Sequence, residues 1–427
     1  MTWFCVKKLL SPVIVAGSVL VADNRDVTKS NIDDESSQQV NFDDIVSSTK
    51  EKIMQKMKMA NIPGSCCIVH INGKPIMKTG FGFSNIENST PFSCKTSMRI
   101  ASISKLITAL MTLHFVQEEK VDLDKNLVDF FKSYNIALSV DDGEINSMTL
   151  KQLLNHTAGI RHYHNANQIE GRGDTTADEF FSNKNYPSIK DSLDIFIHDK
   201  LLFTPGTEFK YTTFGYSLLS FAMEKFAEKS FEQMLSEFTS LLGLSSTRLD
   251  SFEDIILNRC QYYCKKDDCQ LKICPYVDNS NKWAGGGMVS TAEDIAKLGD
   301  ILLYLYQCDS PSNYVKHELI ESMIESNSIT TSKKGDSHYG YGLKVCHEQD
   351  SHGKTLQYFK MAHSGGAVGA CSNLVVLPLG KHLSGGKPKG ITVVMFSNSC
   401  DGDVIKLAHE IAESFAEKIE NELDCHC

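Results

Sequence analysis

Phe42, Ile45, Val46, Ile53 and Met57 recur at the spacing of a helix with one apolar face. The pattern predicts an amphipathic helix over residues 42–60, stopped by Pro63-Gly64. Two apolar-rich runs follow, 66–71 and 75–80, joined through Asn72-Gly73. That dipeptide accepts the left-handed backbone of a tight turn, so the runs read as a hairpin. Residues 98–110 read as an apolar helix. The pattern then loosens. Residues 118–149 read as short turns and helices, and Leu150 to Gly159 as a helix closing on glycine. The polar stretch 165–190, with Gly171 and Gly173, reads as a surface insertion. Helices are expected at 191–202, 216–228 and 292–305, the last capped by Ser290 or Thr291. Strands are expected at 339–345, 359–363, 374–377 and 391–397, and a final helix at 404–419. The result is an α+β fold: an antiparallel sheet from both chain ends, flanked by helices, with a mostly helical middle.

Composition narrows the class. The 427 residues are 41% hydrophobic and 22% charged, as in ordinary globular proteins. A net charge of −10, with no basic patch interleaved with aromatics, argues against a nucleic-acid partner. Residues 1–22 carry Lys7 and Lys8, no acid, and an apolar run to Ala22 broken by Pro12. The run is short for a membrane span and reads as a signal or targeting segment; uncleaved, it would hold the protein near a membrane. A polar linker follows at 23–41, then one folded domain at 42–420 and a Cys-containing tail at 421–427.

The chain has 14 cysteines. Cys260, Cys264, Cys269 and Cys274 lack the spacing of zinc ligands and read as a hairpin turning at 265–268. Folded so, Cys264 faces Cys269 and Cys260 faces Cys274, which predicts two cross-strand disulfides and an oxidising compartment.

The chemistry begins inside the 98–110 run, at Ser102-Ile103-Ser104-Lys105. Three residues are about one helical turn, so hydroxyl and amine share a face. A serine hydroxyl needs a neighbouring base, and lysine is one only where burial or positive charge lowers its pKa. The helix N-terminus offers backbone N–H groups to an oxyanion at Ser102. His156, His162 and His164 have no carboxylate at ligand spacing and read as satisfied structural histidines, so no metal site is expected. Gly285-Gly286-Gly287 reads as close backbone packing, because no phosphate-loop lysine follows.

Downstream stand Tyr211-Thr212-Thr213 and His363-Ser364-Gly365-Gly366. Taken in order with Ser102-x-x-Lys105, they resemble the three motifs of the penicillin-binding protein and β-lactamase superfamily. The stretches 156–163, 211–216, 275–287 and 363–370 are similar to the serine β-lactamase-like proteins of animal mitochondria, and the likeness runs in order over residues 42–415. It implies a β-lactamase/transpeptidase-like fold and a serine acyl-transfer hydrolase without cofactor. Ser102 would be the nucleophile; Lys105 and Tyr211 would share the base role, with Tyr211 as a phenolate that then protonates the leaving group. Thr213 stands where relatives carry Asn, so an amide contact to substrate is lost. His363 replaces the usual Lys and weakens a standing carboxylate site. Gly365 and Gly366 let the strand edge lie against a substrate backbone, with the Gly366 N–H joining that of Ser102 as oxyanion hole.

The implied substrate is a peptide or small acyl compound. Esterase or D-peptide hydrolysis on the same site is the alternative, and a weakly active self-associating scaffold is the rival. The resemblance also implies the mitochondrial intermembrane space, an effect on lipid metabolism and assembly into homo-oligomers. The N-terminal segment points instead to secretion.

Overall fold

The computed structural model describes residues 21–22, 40–140, 143–144, 147–164, 179–265, 270–308, 314–349, 355–380, 387–400 and 404–424. Its centre is a nine-stranded antiparallel sheet. The N-terminal part supplies β1 (Gly64–Ile71) and β2 (Lys74–Asn85). The C-terminal part supplies β3 (Ser337–Tyr339), β4 (Lys344–Gln349), β5 (Thr355–Ala367), β6 (Ala370–Pro378) and β7 (Gly390–Ser397). Their order is β2-β1-β7-β6-β5-β4-β3, with Val21–Ala22 and Thr90–Pro91 added against β2. The β1–β7 pairing, Ile71 to Ser65 against Ile391 to Ser397, joins the two chain ends. At the β1–β2 turn Asn72 and Gly73 have φ of 54° and 72°, as the dipeptide implies.

The central strands are buried on both faces and alternate between two cores. Cys67, Val69, Val375, Leu377, Val393 and Met395 point to one side, where they meet α1 (Asp43–Ala60) and α5 (Val404–Asp424). Cys66, Ile68, Leu374, Val376, Val394 and Phe396 point to the other. That side carries α2 (Ser104–Gln117), α3 (Phe214–Ala227), α4 (Ala292–Gln307) and the helical middle of the chain. Helix α4 starts at the expected cap, Thr291, which accepts the Asp294 N–H. It lies directly on the sheet through Gly299, where a Cβ would sit 2.5 Å from Thr392 Cγ2.

Several elements depart from expectation. The helix expected at 150–159 spans only Leu150–Leu154, capped reciprocally by Thr149 and Gln152. His156 then turns left-handed, with φ of 63°. The helix expected at 191–202 is Ile189–Leu193, started by the Ser188 cap. The strand expected at 339–345 is two strands, β3 and β4. Gly342 (φ 68°) breaks it, because the chain turns where a Cβ would lie 2.5 Å from the Lys105 carbonyl oxygen. Of the expected insertion, 165–178 lies outside the described residues. The rest is ordered: Tyr186 is buried, and Glu179 pairs with Arg161 through two bonds of 2.8 and 3.0 Å. Of the targeting segment, residues 1–20 lie outside the described residues, as do the last three of the tail.

The cysteine segment is a hairpin, but its register differs. Cys264 lies opposite Lys272 and Tyr263 opposite Ile273, so Cys260 does not face Cys274. The register is set by the tyrosines: the Tyr262 hydroxyl accepts the Arg99 N–H at 2.8 Å, and the Tyr263 N–H donates to Asn398 O at 3.0 Å. Cys260 is buried, its thiol directed at the carbonyls of Ser84 and Gln261. Cys269 lies outside the described residues. Cys260, Cys264 and Cys274 are thiols, so neither expected bridge is present at these described residues.

Candidate active site

Ser102 lies in the tight turn Ala101–Ile103 that opens α2. The short strand Met98–Arg99 feeds this turn and pairs with Met288–Ser290. Ala101 has φ of 46°, a conformation that costs a residue with a Cβ on the order of 1 kcal/mol and is held only by its surroundings. Those surroundings are specific. The Ile100 N–H donates to Met288 O at 3.0 Å, and Ser372 Oγ donates to Ile100 O at 2.8 Å. A Cβ on Gly365 would lie 2.3 Å from that same Ile100 oxygen, so only glycine lets β5 rest on the turn. Gly366 meets open space instead and lines the cleft. Pairing of β5 with β4 stops at Ala362, which leaves residues 363–367 with an unpaired edge toward Ser102.

Lys105 is fully buried, with Nζ 3.3 Å from Ser102 Oγ and 3.2 Å from Thr213 Oγ1. Its ammonium protons also reach the Gly285 carbonyl. Burial, reinforced by the nearby Lys282 charge, pushes the Lys105 amine well below its ordinary value. The Tyr211 hydroxyl hydrogen-bonds Ser102, and its ring centroid is 4.8 Å from Lys105 Nζ. Burial holds the Tyr211 phenol above its ordinary value despite that bond. The expected phenolate is therefore a phenol at neutral pH, and the amine is the group placed to take a proton.

His363 is buried and fixed at both nitrogens. Ser364 O, 2.7 Å away, can only accept, so Nδ1 carries the proton and Nε2 accepts from the Tyr339 hydroxyl at 2.8 Å. Burial, then the Lys105 charge, lowers its pKa to about 3. The imidazole at this position is therefore neutral.

Ser102 sits between two hollows. One, of about 300 Å³, is lined by His162, Tyr163, Phe180, Thr213, Lys282 and Gly366. The other, of about 710 Å³, is lined by Tyr211, Tyr339, His363, Ser364 and Gly366 among others. Lys282 is buried in the smaller one, its ammonium 5.1 Å from the Phe180 ring and 5.4 Å from the Tyr163 ring. Cation–π contact stabilises it there. All seven residues singled out in the sequence meet around one point, except that Gly365 packs beneath the turn rather than lining a hollow.

Sequence reasoning missed several neighbours. His156, expected to be a satisfied structural residue, has its Nε2 buried without a hydrogen-bond partner. It brackets Tyr211: its carbonyl takes the Lys210 N–H at 2.9 Å, its Nδ1 takes the Thr212 N–H at 3.3 Å, and its ring lies 4.4 Å from the tyrosine ring. His162 lines both hollows, and burial with the Lys105 charge lowers its pKa to about 4. Gly285 belongs to the glycine run read as close packing, and Lys282, just before it, carried no reading of its own. Behind the turn, buried Asp250 accepts from Arg99 Nε (2.8 Å), Arg259 (3.1 Å) and Asn279 (2.7 Å).

The beta-lactamase family model matches residues 49–414. The serine beta-lactamase-like protein LACTB, mitochondrial, of Bos taurus is 27% identical over 87% of this chain and 79% of its own length. The Homo sapiens protein of that name is 27% identical over 87% of this chain and 79% of its length. Among solved structures, the octameric penicillin-binding protein homologue from Pyrococcus abyssi superposes with a TM-score of 0.66 at 24% identity, covering 83% of this chain and 74% of that one. With the family model spanning most of its length and the fold shared with penicillin-binding proteins, the chain belongs to the beta-lactamase family.

Proposed function

We propose that the chain is a serine acyl-transfer hydrolase that acts as a peptidase. The observation that carries this reading is Lys105: a buried amine, kept unprotonated by burial and Lys282, 3.3 Å from Ser102 Oγ. Lys105 Nζ takes the Ser102 proton as Oγ attacks the substrate carbonyl. The oxyanion meets the N–H groups of Ser102 and Gly366. The carbon–nitrogen bond then breaks. Tyr211 gives its phenolic proton to the leaving amine and recovers one from the Lys105 ammonium. Water repeats the sequence on the acyl-enzyme and frees Ser102. Tyr211 lines only the larger hollow, so the leaving group belongs there and the acyl group beside Thr213 and Lys282.

Because His363 is neutral, the larger hollow has no fixed cation at that position for a leaving-group carboxylate, and amides and esters both fit it. A matched panel of peptide and ester substrates ranks the two activities. The mammalian relatives are named mitochondrial, and we carry that location to this chain as well. A reporter fused to residues 1–40 reads it out, and an export signal would favour secretion.

A fluorophosphonate probe tests the chemistry. Intact mass should show one adduct, mapped to Ser102, that is lost in Ser102→Ala. Lys105→Met should slow labelling by about 10³-fold, within the usual range for removal of a general base. Equal labelling of wild type and Ser102→Ala would defeat the proposal.

A further inference from the structure

The cysteine hairpin, described by the strands Tyr263–Lys265 and Leu271–Ile273, sits against both supports of the candidate oxyanion site. On one side, Tyr262 holds the Arg99 N–H at the entry to the Ser102 turn, and the Arg99 guanidinium lies 4.5 Å over the Tyr262 ring. On the other, the β5–β6 turn follows Gly366 directly, with Ala367 paired to Ala370. Cys274 Sγ presses on that turn: a Cβ on Gly369 would lie 2.4 Å from it. Exposed Cys400 clasps the same turn, its thiol directed at Ala367 O (3.0 Å) and Ala370 O (3.3 Å). Arg99 ties both sides together through a bond of 3.3 Å to Val368 O.

Two thiols of this hairpin are near neighbours. Cys264 lies opposite Lys272, and the Cys274 N–H donates to Tyr262 O at 2.9 Å, so the two cysteines are diagonal neighbours across the strands. The two sulfurs interact strongly enough that Cys264 helps to raise the Cys274 thiol, and both side chains are only half-buried. Among the described residues no three His, Cys, Asp or Glu side chains are arranged to hold a metal.

We propose that Cys264 and Cys274 form a reversible disulfide that slows acylation of Ser102. The inference rests on the hydrolase reading for its effect but not for the bond itself. Hydrogen peroxide is the oxidant. The Cys264 thiolate attacks one peroxide oxygen, the O–O bond breaks, and hydroxide leaves as Cys264 becomes a sulfenic acid. The Cys274 sulfur then displaces the second oxygen as water, and the sulfur–sulfur bond forms. The two sulfurs together lose two electrons to the peroxide, and their protons end in two waters. Burial and the neighbouring sulfurs hold Cys274 up at about 12, which suits a resolving thiol rather than the attacking one. Closing the bond requires the sulfurs to approach to about 2.05 Å. That draws Cys274 toward Cys264 and off Gly369, which loosens the turn behind Gly366.

The test uses the full chain. The protein is treated with hydrogen peroxide, alkylated and mapped by non-reducing peptide mass spectrometry, while fluorophosphonate labelling of Ser102 is timed in parallel. The expected result is a linked Cys264–Cys274 peptide and labelling slowed about tenfold, both reversed by dithiothreitol. Cys264→Ser should label like the reduced protein and ignore peroxide. A Cys264–Cys269 bridge, a Cys274–Cys400 bridge, or slowing that persists in Cys264→Ser would overturn the proposal, as would a linked peptide with unchanged labelling. Reduced wild type that takes no label at all would end the hydrolase reading and the regulatory half with it. The peptide map would still decide whether the bond forms.

Discussion

Behind the sheet, α1 and α5 bury Phe42, Ile53, Met57, Leu407, Ile411 and Phe415 against alternate residues of β1, β6 and β7. Lys360 of β5 also reaches that side, where Glu413 of α5 neutralises it at 2.5 Å. In front of the sheet, equally deep positions hold Lys105, His156, Thr213, His363 and the Arg99–Asp250 pair among the apolar side chains. Burying such groups is costly unless each is hydrogen-bonded or changes its ionisation. The rear face is therefore a stability device, whereas the front spends part of its packing on keeping an amine and three histidines uncharged. The same strands serve both, one residue apart, so the contrast is open to separate tests on each side.

The rear face should show the largest stability effect. Phe415 is fully buried and stacks on Phe42 with centroids 6.0 Å apart. Phe415→Ala should lose about 3–5 kcal/mol in urea unfolding, the range for a large aromatic truncated in a core. The rate of Ser102 labelling per folded molecule should stay unchanged. A matching fall in that rate would mean that the two faces are mechanically coupled and the comparison is wrong.

The front face should reveal itself in acid, alongside His409 of α5, which burial also lowers to about 4. His162 and His363 titrate at about 4 and about 3 when folded, against an ordinary histidine value of 6.5, and His156 is lowered as well. The unfolded chain therefore binds protons first as the pH drops. Stability is complete above pH 6.5 and declines as the pH falls through the window down to the folded values. The gap for His162 alone corresponds to about 3 kcal/mol. Urea midpoints at pH 7 and pH 4 should separate accordingly, and His162→Asn should narrow the separation. A midpoint as steep in His162→Asn as in wild type would place the acid sensitivity elsewhere.

How far the residues announce this arrangement depends on whether their partners are near in sequence. The β1–β2 hairpin is legible because Asn72-Gly73 carries its own turn geometry. Ser102 and Lys105 are legible because one helical turn fixes their separation. The break at Gly342 is not, because its cause is the Lys105 carbonyl, far away in the chain. The cysteine register fails for the same reason: Arg99 and Asn398 hold Tyr262 and Tyr263, and the local spacing of cysteines is subordinate to them. The place of His156 beside Tyr211 is not legible either, because its partners, Lys210 to Thr212, come from another part of the fold.

His156 gives the smallest and most specific test. Its left-handed backbone, with φ of 63°, is one that histidine and asparagine adopt more readily than most side chains. His156→Asn keeps that geometry and an amide oxygen that can take the Thr212 N–H, while removing the ring that packs on Tyr211. His156→Phe keeps a ring, loses the acceptor at Nδ1 and adds backbone strain. If His156 acts by holding Tyr211 against Ser102, both changes should lower kcat, by about tenfold or about 1.4 kcal/mol, with KM little altered. Unfolding should separate them: Asn near wild type, Phe destabilised. Should kcat survive in both variants, Tyr211 needs no support from this side. The uncharged histidine would then belong with the core, as part of the stability of the front face rather than of its chemistry.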